Sequence, residues 1–239
     1  MPVDIACWKE IWDNCSWTTA FASPLWHTVT EKIEAEDSSF DWKVTITPLR
    51  KIRLAKGLLT GYESAVPGVP AGPISAEIPD EKKIGEFWEI LSRKTRGRFL
   101  IHLRANSPFS RTPFRTTSLV NHILKIKERK KRIRTHHKRK INNAKKAGLV
   151  VTLARRESDF DTFWELYESS LKRWKPKPAR VYSRQFFDFV REVLLPAGAA
   201  SYFIAWKNES PQAGALVLYG KERAIYWHGV TANDVTDGS

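Results

Sequence analysis

The chain has 239 residues, of which 42% are hydrophobic and 12% aromatic, and it carries a formal net charge of +14. This length and apolar content can bury a sizeable core, which excludes a protein that is disordered throughout. The sequence has no run of about eighteen apolar residues, and its first residues include acids and tryptophans where a signal peptide would be basic and then apolar. These features predict a cytoplasmic protein without a transmembrane segment.

Helices and strands alternate in the first half of the chain. Helices are predicted at 5–14 and from Ser23 and Pro24 onward, because serine is a favoured N-cap and proline suits the first helical turn. Enrichment in β-branched and apolar residues predicts three strands, with a helix between the second and the third. Their ranges are 42–47, 52–59 and 98–103 for the strands and 81–93 for the helix. The Pro- and Gly-rich segment 64–75 is predicted to be a loop, either a linker or the wall of a site.

A polar segment that contains prolines, residues 106–118, is the predicted boundary between two domains, 1–113 and 114–239. The second domain is predicted to contain helices followed by a three-stranded antiparallel meander. Its elements, in chain order, are a strand at 119–124, a basic helix at 125–147, a strand at 149–154, a helix capped by Ser158 with Asp161 completing a capping box, a helix that begins after Ser183 and ends at Pro196, and strands at 201–206, 213–219 and 223–229. This succession predicts the α+β class with mixed sheets.

Most of the positive charge lies in the predicted basic helix. Residues 125–146 contain twelve Lys or Arg against the single acid Glu128, a net +11 of the total of +14. Only a narrow stripe of this helix is left to dock it, namely Ile126, Ile133, His137, Ile141 and Ala144. Lys and Arg form charge-assisted hydrogen bonds with phosphate, so the helix is suited to polyanions. A solvated face that keeps the protein soluble is the competing interpretation.

The cysteines and the adjacent histidines do not form a metal-binding pattern. Cys7 and Cys15 lie eight residues apart without histidines at ligand spacing, and both are interpreted as ordinary apolar residues. His136 and His137 would point about 100° apart on a helix and could not share a metal ion. No metal site is therefore predicted.

Six stretches follow one another along the chain: TTAFASPLWH (18–27), PAGPIS (70–75), HHKRKINNAKKAGLVV (136–151), FWELYESSLKRW (163–174), YSRQFFDFV (182–190) and AIYWHGVT (224–231). In order and spacing they resemble the FemAB family, the peptidyltransferases that add amino acids to peptidoglycan precursors from aminoacyl-tRNA, and its relatives with the GNAT acyltransferase fold. PAGPIS resembles the Gly-Pro site loop of the family. The stretch 136–151 resembles its His/Arg-rich helix, which ends in an Ala-Lys-Gly turn before a strand.

The resemblance implies tandem GNAT-like domains, with an amine acceptor bound in the cleft between them, no metal and no tightly bound cofactor. The implied donor is aminoacyl-tRNA or acyl-CoA. In the peptidoglycan enzymes an acidic residue near the substrate follows a strand of the first domain. The matching stretch of this sequence reads LIHLRANSP, with Arg104 at about the position of that acid. The family's carboxylate and its usual acceptor therefore do not carry over. The family also continues past the meander with a further strand and helix, so the second domain is predicted to be incomplete.

The resemblance places Tyr226 at the acceptor pocket with His228 beside it; a core tyrosine is the alternative. On a strand these two side chains share one face. A second candidate group surrounds the KPKPAR segment and could clamp phosphate or carboxylate, with surface decoration as the alternative. Its members are Arg173, Arg180, Tyr182 and Arg184. The candidate contacts of the basic helix with tRNA, or with the phosphate of a precursor, are Arg132, Arg134, Lys138, Arg139 and Lys145.

The leading hypothesis is a transferase that moves an aminoacyl or acyl group onto a small-molecule or peptide amine, in peptidoglycan or cell-envelope biosynthesis. No Ser-His-Asp or Cys-His pattern argues for a covalent intermediate, and no catalytic base is assigned. The alternatives are a non-catalytic module that binds RNA or anionic lipid through the basic helix, and a truncated product without activity. The sequence leaves the oligomeric state open.

Overall fold

The computed structural model describes residues 4–32, 37–42, 44–64, 69–118, 123, 134–176, 178 and 180–232. The helices of this part of the chain, in order, are α1 (Ile5–Asn14), α2 (Pro24–Glu31), α3 (Glu81–Thr95), α4 (Thr135–Lys146), α5 (Glu157–Arg173) and α6 (Arg184–Leu194). The strands are β1 (Asp37–Trp42), β2 (Thr45–Leu54), β3 (Leu59–Glu63), β4 (Ile74–Ser75), β5 (Phe99–Leu100), β6 (Val150–Leu153), β7 (Ala200–Lys207), β8 (Ser210–Tyr219) and β9 (Ala224–Thr231). The predicted mixture of helices and strands is confirmed.

The chain divides into two compact units, and each is assembled from separate segments. Unit 1 consists of Met1–Phe114, Pro178–Ala200 and Val217–Tyr226. Unit 2 consists of Arg115–Lys177, Ser201–Leu216 and Trp227–Ser239. The predicted tandem arrangement of two GNAT-like domains, 1–113 and 114–239, stays a prediction.

The sheet of unit 1 has the order β1-β2-β3-β5, with β4 paired to β2. The pairs of β2 with β1, β3 and β4 are antiparallel, whereas β3 and β5 are parallel. Helix α3 buries Phe87, Trp88 and Leu91, and the Phe87 ring lies 5.6 Å from that of Phe40 in β1. The packing of α3 against β1 through these rings forms part of the core of unit 1.

The predicted helix starts in unit 1 are confirmed because their signals are local. Ser23 caps α2 by accepting a hydrogen bond from Trp26 N at 3.1 Å, and Ser183 caps α6 by accepting one from Phe186 N at 3.2 Å. Helix α6 packs against α2, where the Trp26 and Phe186 rings lie 5.9 Å apart. The segment Pro178–Ala200 of unit 1 is thereby held against the N-terminal helices of the same unit.

The strand boundaries predicted for the first half are wrong. The predicted strand 42–47 runs across the turn between β1 and β2, which pair at Trp42 and Thr45 without a Gly or Pro to mark the turn. The predicted strand 52–59 runs across a 3₁₀ turn at Ala55–Gly57, where Lys56 has a φ of 56°. The predicted strand 98–103 is ordered as a strand only at Phe99–Leu100.

The second sheet has the order β6-β7-β8-β9, which confirms that the last three strands are sequential neighbours in one sheet. The β7–β8 turn consists of Asn208 and Glu209, with φ values of 48° and 63°, as in a type I′ hairpin. Helix α5 packs on this sheet within unit 2, since the Phe163 ring lies 4.8 Å from that of Tyr202 in β7. A Cβ at Gly214 would lie 2.9 Å from the Phe163 ring, so this close approach requires glycine.

The predicted N-terminus of α5 is wrong in its details. The helix begins at Glu157 with Arg156 as the N-cap, two residues before the predicted cap Ser158. Asp159, and not Asp161, provides the carboxylate, which accepts hydrogen bonds from the backbone N–H groups of Arg155 and Arg156 at 2.9 Å each. A carboxylate at this position satisfies amides that the helix cannot.

Helix α4 covers the C-terminal half of the predicted basic helix 125–147; residues 124–133 and the strand predicted at 119–124 lie outside the described residues, except for residue 123. The docking stripe is wrong for the described part, because His137 is exposed and Ile141 is 48% exposed. No side chain of α4 is buried. Among the described residues, no helix is long and apolar enough to cross a lipid bilayer.

Candidate functional site

A cleft in unit 1 is built from four pieces of the chain that meet behind the end of α1. The first piece, residues 15–19, is hydrogen-bonded to the second, the Pro- and Gly-rich loop 70–74, whose last residue begins β4, so that the predicted loop 64–75 ends in a short strand. Trp17 donates from Nε1 to the carbonyl oxygen of Pro73 at 2.8 Å, and Thr19 donates from its hydroxyl to the carbonyl oxygen of Pro70 at 2.6 Å. The loop is therefore the wall of a cleft, the second of the two interpretations open from the sequence.

The third piece is the extended segment that follows β5. Its backbone runs beside the loop, since Ala71 N donates to the His102 carbonyl oxygen at 3.0 Å. A Cβ at Gly72 would lie 2.7 Å from the Leu103 side chain and 3.4 Å from the His102 oxygen, so glycine permits this close approach. The segment thereby carries Arg104 into the cleft, where the guanidinium donates to the Thr18 carbonyl oxygen at 3.1 Å.

The fourth piece is the turn that leads from β8 into β9. Gly220 lies close to the backbone of Ala20, where an added Cβ would be 3.2 Å from the nitrogen. Lys221 donates from its ammonium group to the carbonyl oxygen of Asp13 at the end of α1. Residue Arg223 follows on the same wall. These contacts bring a second and a third cation to the side of the cleft that faces Arg104.

We call this feature the Arg104 cleft; its two lobes share Thr18, Thr19 and Arg104. The larger lobe has a volume of about 80 Å³ and includes Cys15, Glu222 and Arg223. The smaller lobe has about 10 Å³ and includes Ser107 and the loop 70–74. Volumes of this size accommodate a single small polar group and not a whole nucleotide.

The electrostatics of the cleft are governed by its cations. Burial lowers the pKa of Arg104, the positive charge of Arg223 lowers it further, and Glu222 and Cys15 oppose the shift. Burial also raises the pKa of the Cys15 thiol, against the effect of nearby backbone hydrogen bonds. Cys15 is thus a protonated, buried thiol, which agrees with its interpretation as an apolar residue, whereas Cys7 is exposed.

Two buried hydroxyl groups line the smaller lobe. Thr18 is 8% exposed and Ser107 is 4% exposed. Neither Thr18 Oγ1 nor Ser107 Oγ has a hydrogen-bond partner among the described residues. Buried hydroxyls in native proteins are almost always hydrogen-bonded, so two such groups beside one guanidinium are a signal of a ligand position.

A buried ion-pair network lies next to the extended segment that carries Arg104. Glu63, at the end of β3, is 5% exposed and accepts a hydrogen bond from His102 Nε2 at 2.9 Å and another from Arg50 of β2. Burial by itself raises the pKa of Glu63, but the hydrogen bonds and charges of His102 and Arg50 outweigh it, so that the pKa lies below its usual value. The network ties β2 and β3 to the backbone just before Arg104.

The structure gives different surroundings to Tyr226 and His228. Tyr226, in β9, is 69% exposed, which excludes the alternative of a core tyrosine. His228 packs against Tyr167 of α5, with ring centroids 5.8 Å apart, and burial lowers its pKa to about 4. His228 is therefore neutral near pH 7. Neither residue lines the Arg104 cleft; their neighbour Ile225 does.

The second candidate group is brought together only in part. Arg180 lies over the ring of Tyr182 at 5.3 Å, and Tyr182 is buried against Phe186 of α6. Arg184 forms an ion pair with Asp188 at 4.0 Å. Arg173 belongs to unit 2, where it donates to the carbonyl oxygen of Thr231 at 2.7 Å and so fastens the end of α5 to the end of β9.

The candidate phosphate contacts of α4 form an exposed basic surface. Arg134 precedes the helix, and Lys138, Arg139 and Lys145 lie on it, all exposed. Arg132 lies outside the described residues. His136 and His137 are also exposed, with ring centroids 5.4 Å apart. Within the described ranges, no cluster of three or more His, Cys, Asp or Glu side chains is arranged to hold a metal ion.

Sequence reasoning missed Thr18, Ser107, Lys221 and Arg223 as parts of a site. Two features of the sequence pointed to the cleft: the PAGPIS loop, and the presence of Arg104 where the family has an acid. The turn that holds Arg223 is more than one hundred residues away along the chain, and its position depends on the folding of unit 1. Local sequence patterns cannot predict that this turn lies close to Arg104.

The architecture is that of a mixed α+β protein with two sheets, and the comparisons with known proteins narrow this class. Residues 131–238 match the family model described as "Acetyltransferase (GNAT) domain". The structure titled "Crystal structure of FemX" is similar, with a TM-score of 0.68 and 11% sequence identity over 98% of this chain and 81% of that chain. No curated protein matches the sequence.

Residues 131–238 are similar to a GNAT-type acetyltransferase domain, and the chain has a FemX-like fold. The resemblance to FemAB-like GNAT acyltransferases is confirmed at this level. The match supports a function of the acyltransferase type.

Proposed function

We propose that this protein is a FemAB-like N-acyltransferase that moves an acyl or aminoacyl group onto an amine acceptor in peptidoglycan or cell-envelope biosynthesis. The observation that carries the proposal is the GNAT-type domain at residues 131–238 within a chain of FemX-like fold. Acyl-CoA and aminoacyl-tRNA are the two donor classes that the resemblance implies. Either would act as a substrate and not as a resident cofactor.

The proposed reaction is direct attack of the amine on the donor carbonyl. A neutral amine forms the new C–N bond, and the C–S bond of a thioester, or the C–O bond of an aminoacyl ester, breaks. The departing thiol or hydroxyl group takes up the proton that the amine loses. This chemistry needs oriented substrates and donors for the developing oxyanion. A covalent cysteine intermediate has no support at Cys15, because its thiol is buried and its pKa is raised.

On the acceptor side, we assign Tyr226 a binding role because its phenol is exposed at the surface of β9. His228 would support the strand beneath it as a neutral imidazole, in contact with Tyr167. Arg180 and Arg184 lie at the start of α6 in unit 1 and offer guanidinium groups for a carboxylate or phosphate, and the ring of Tyr182 lies under Arg180. Arg173 contributes by fixing the end of β9 through Thr231.

On the donor side, the exposed cations of α4 are suited to a phosphate backbone. Lys138, Arg139 and Lys145 are exposed on one helix, and the helix contains no acid. It also contains no Trp, Tyr or Phe, so base stacking is not expected there. Contacts of this kind bind the backbone of tRNA, or the phosphates of a precursor, with little sequence preference.

A transfer assay tests the proposal. The full chain is incubated with a panel of labelled acyl-CoA thioesters and aminoacyl-tRNAs and with amine acceptors, and products are detected by mass spectrometry. The proposal expects a mass increase on an amine that depends on enzyme concentration. A heat-denatured sample controls for the spontaneous reaction of thioesters and esters with amines.

A second candidate function is a non-catalytic module that binds RNA or anionic lipid, favoured by the unpartnered basic surface of α4 in the part of the chain that the structure describes. The transfer assay, combined with a binding titration at several salt concentrations, separates the two functions. Salt-dependent binding of tRNA or of anionic vesicles, together with no transfer from any donor of the panel, would replace the transferase proposal with this one.

A further inference from the structure

The GNAT-like fold by itself does not explain why guanidinium and hydroxyl groups meet in the Arg104 cleft. Arg104 is partly buried, and the charged side chains that act on it are the cation Arg223 and the acid Glu222. Only one of the N–H groups of Arg104 is engaged within the described residues, by the Thr18 carbonyl oxygen. A guanidinium group has five N–H donors, so most of the donors of Arg104 remain available.

The two hydroxyl groups add independent evidence. Thr18 Oγ1 and Ser107 Oγ are each more than nine-tenths buried, line the same lobe as Arg104 and bind no other described residue. Leaving a hydroxyl buried without a partner costs roughly 1–3 kcal/mol. Both costs are offset if a ligand forms hydrogen bonds with the two hydroxyls. A hydroxyl can donate or accept, but the adjacent Arg104 can only donate, so a ligand that binds all three groups is an acceptor.

We infer that the Arg104 cleft is a binding site for a small oxyanion, a carboxylate or a phosphate group, held by Arg104 and by the hydroxyls of Thr18 and Ser107. Arg223, whose side chain has no hydrogen bond or ion pair among the described residues, completes the positive rim. Glu222 on the same rim competes for Arg104 and limits the affinity. The lobe of about 80 Å³ admits one such group, and the lobe of about 10 Å³, which is the size of one water molecule, admits one of its oxygen atoms.

The structural surroundings make this site rigid before a ligand arrives. Trp17 and Thr19 are fastened to the loop 70–74, and that loop is fastened to the backbone of His102. The donors are therefore held in place by backbone contacts, which lowers the entropic cost of binding. In the proposed transferase the oxyanion would belong to the acceptor, and this assignment rests on the proposed function. The binding of an oxyanion in the cleft does not depend on that function.

The test is a titration of the full chain with inorganic phosphate and, separately, with acetate, at constant ionic strength balanced by chloride. Heat of binding and thermal shift are read out. We expect saturable binding of at least one anion, a weakening of about a hundredfold in Arg104→Gln, and a weakening of about tenfold in Thr18→Val. Preference for phosphate or for acetate tells which group the natural ligand carries.

Stability separates a ligand role of Thr18 from a structural one. Because its hydroxyl has no partner, Thr18→Val should leave the melting temperature of the ligand-free protein unchanged or higher while it weakens anion binding. Thr47→Val is the matched control, since Thr47 is another buried threonine whose hydroxyl has no partner in the described chain, and it lies outside the cleft. That variant should keep the anion affinity of the wild type.

The inference is overturned if the wild type binds neither anion saturably, or if Arg104→Gln binds as tightly as the wild type. It is also overturned if binding is lost only in Lys138→Gln/Arg139→Gln, because the anions would then sit on α4. Anion binding that needs Arg104, in a protein that transfers nothing from any donor, would leave the site standing and remove the proposed function.

Discussion

Replacing the buried carboxylate of Glu63 is expected to destabilise unit 1 in a manner that depends on pH. Glu63 accepts hydrogen bonds from Arg50 and His102, whose side chains are 16% and 15% exposed. Glu63→Gln keeps the shape but removes one negative charge that stabilises the guanidinium of Arg50. Breaking a buried pair from one side costs roughly 3–5 kcal/mol, and the amide retains part of the hydrogen bonding, so we expect a loss of about 3 kcal/mol near pH 7.

The sign of the pH effect follows from the pKa of Glu63, which is lower in the folded protein than its usual value of 4.5. A carboxylate with a depressed pKa stabilises the fold above the unfolded-state pKa, and this contribution disappears as the pH falls through the folded-state pKa. The difference between wild type and Glu63→Gln should thus be constant from about pH 6 to 8. It should shrink on acidification below about pH 4.

Urea unfolding followed by tryptophan fluorescence measures the effect, since the chain has ten tryptophans. The matched control is Glu89→Gln, which removes an ion pair to Arg93 whose side chains are 70% and 72% exposed. That variant should change the free energy of unfolding by less than about 0.5 kcal/mol. A loss at Glu63 no larger than at Glu89, or a difference that does not change with pH, would refute the account of the network.

Three further predictions concern other parts of the chain. Lys138→Gln/Arg139→Gln should weaken tRNA binding and reduce the slope of log K against log salt by roughly 1 to 2, because each phosphate contact contributes about 0.7–0.9; an unchanged slope in filter binding would remove α4 from the interface. Tyr226→Phe should weaken acceptor binding in kinetics without a change in melting temperature, since the side chain is 69% exposed; a large loss of stability would contradict this. Because burial holds the pKa of His228 at about 4, its contribution to stability is present above about pH 6.5 and is lost as the pH falls towards 4. Wild type should therefore lose more stability than His228→Gln between these values in urea titrations, and parallel curves would exclude the burial argument.

The parts of the fold that the sequence predicts well are those with local signals. Ser23 with Pro24 and Ser183 each mark a helix start that the structure reproduces. The late strands alternate in hydropathy and are separated by Asn208 and Glu209, which suit a tight turn. The early strands lack such punctuation, because the turn after Trp42 has neither Gly nor Pro, and the predicted range ran through it.

The Arg104 cleft could be predicted only in part. The resemblance identified the loop 70–75 as a site wall, and the reading LIHLRANSP pointed to Arg104 as a departure from the family. Which residues face Arg104 depends on the pairing of distant segments. Thr18 and Ser107 are ordinary polar residues in the sequence and become informative only when their burial and their missing partners are known.

The most direct test of the account is a comparison of two acceptors that differ only in an anionic group, an amine with a carboxylate or phosphate and its neutral analogue, with transfer measured as kcat/KM in wild type and in Arg104→Gln. The account predicts that the wild type acylates the anionic acceptor at least about tenfold more efficiently, and that the ratio falls towards one in Arg104→Gln. Transfer that is equally efficient for both acceptors, or a preference that survives the loss of Arg104, would contradict it.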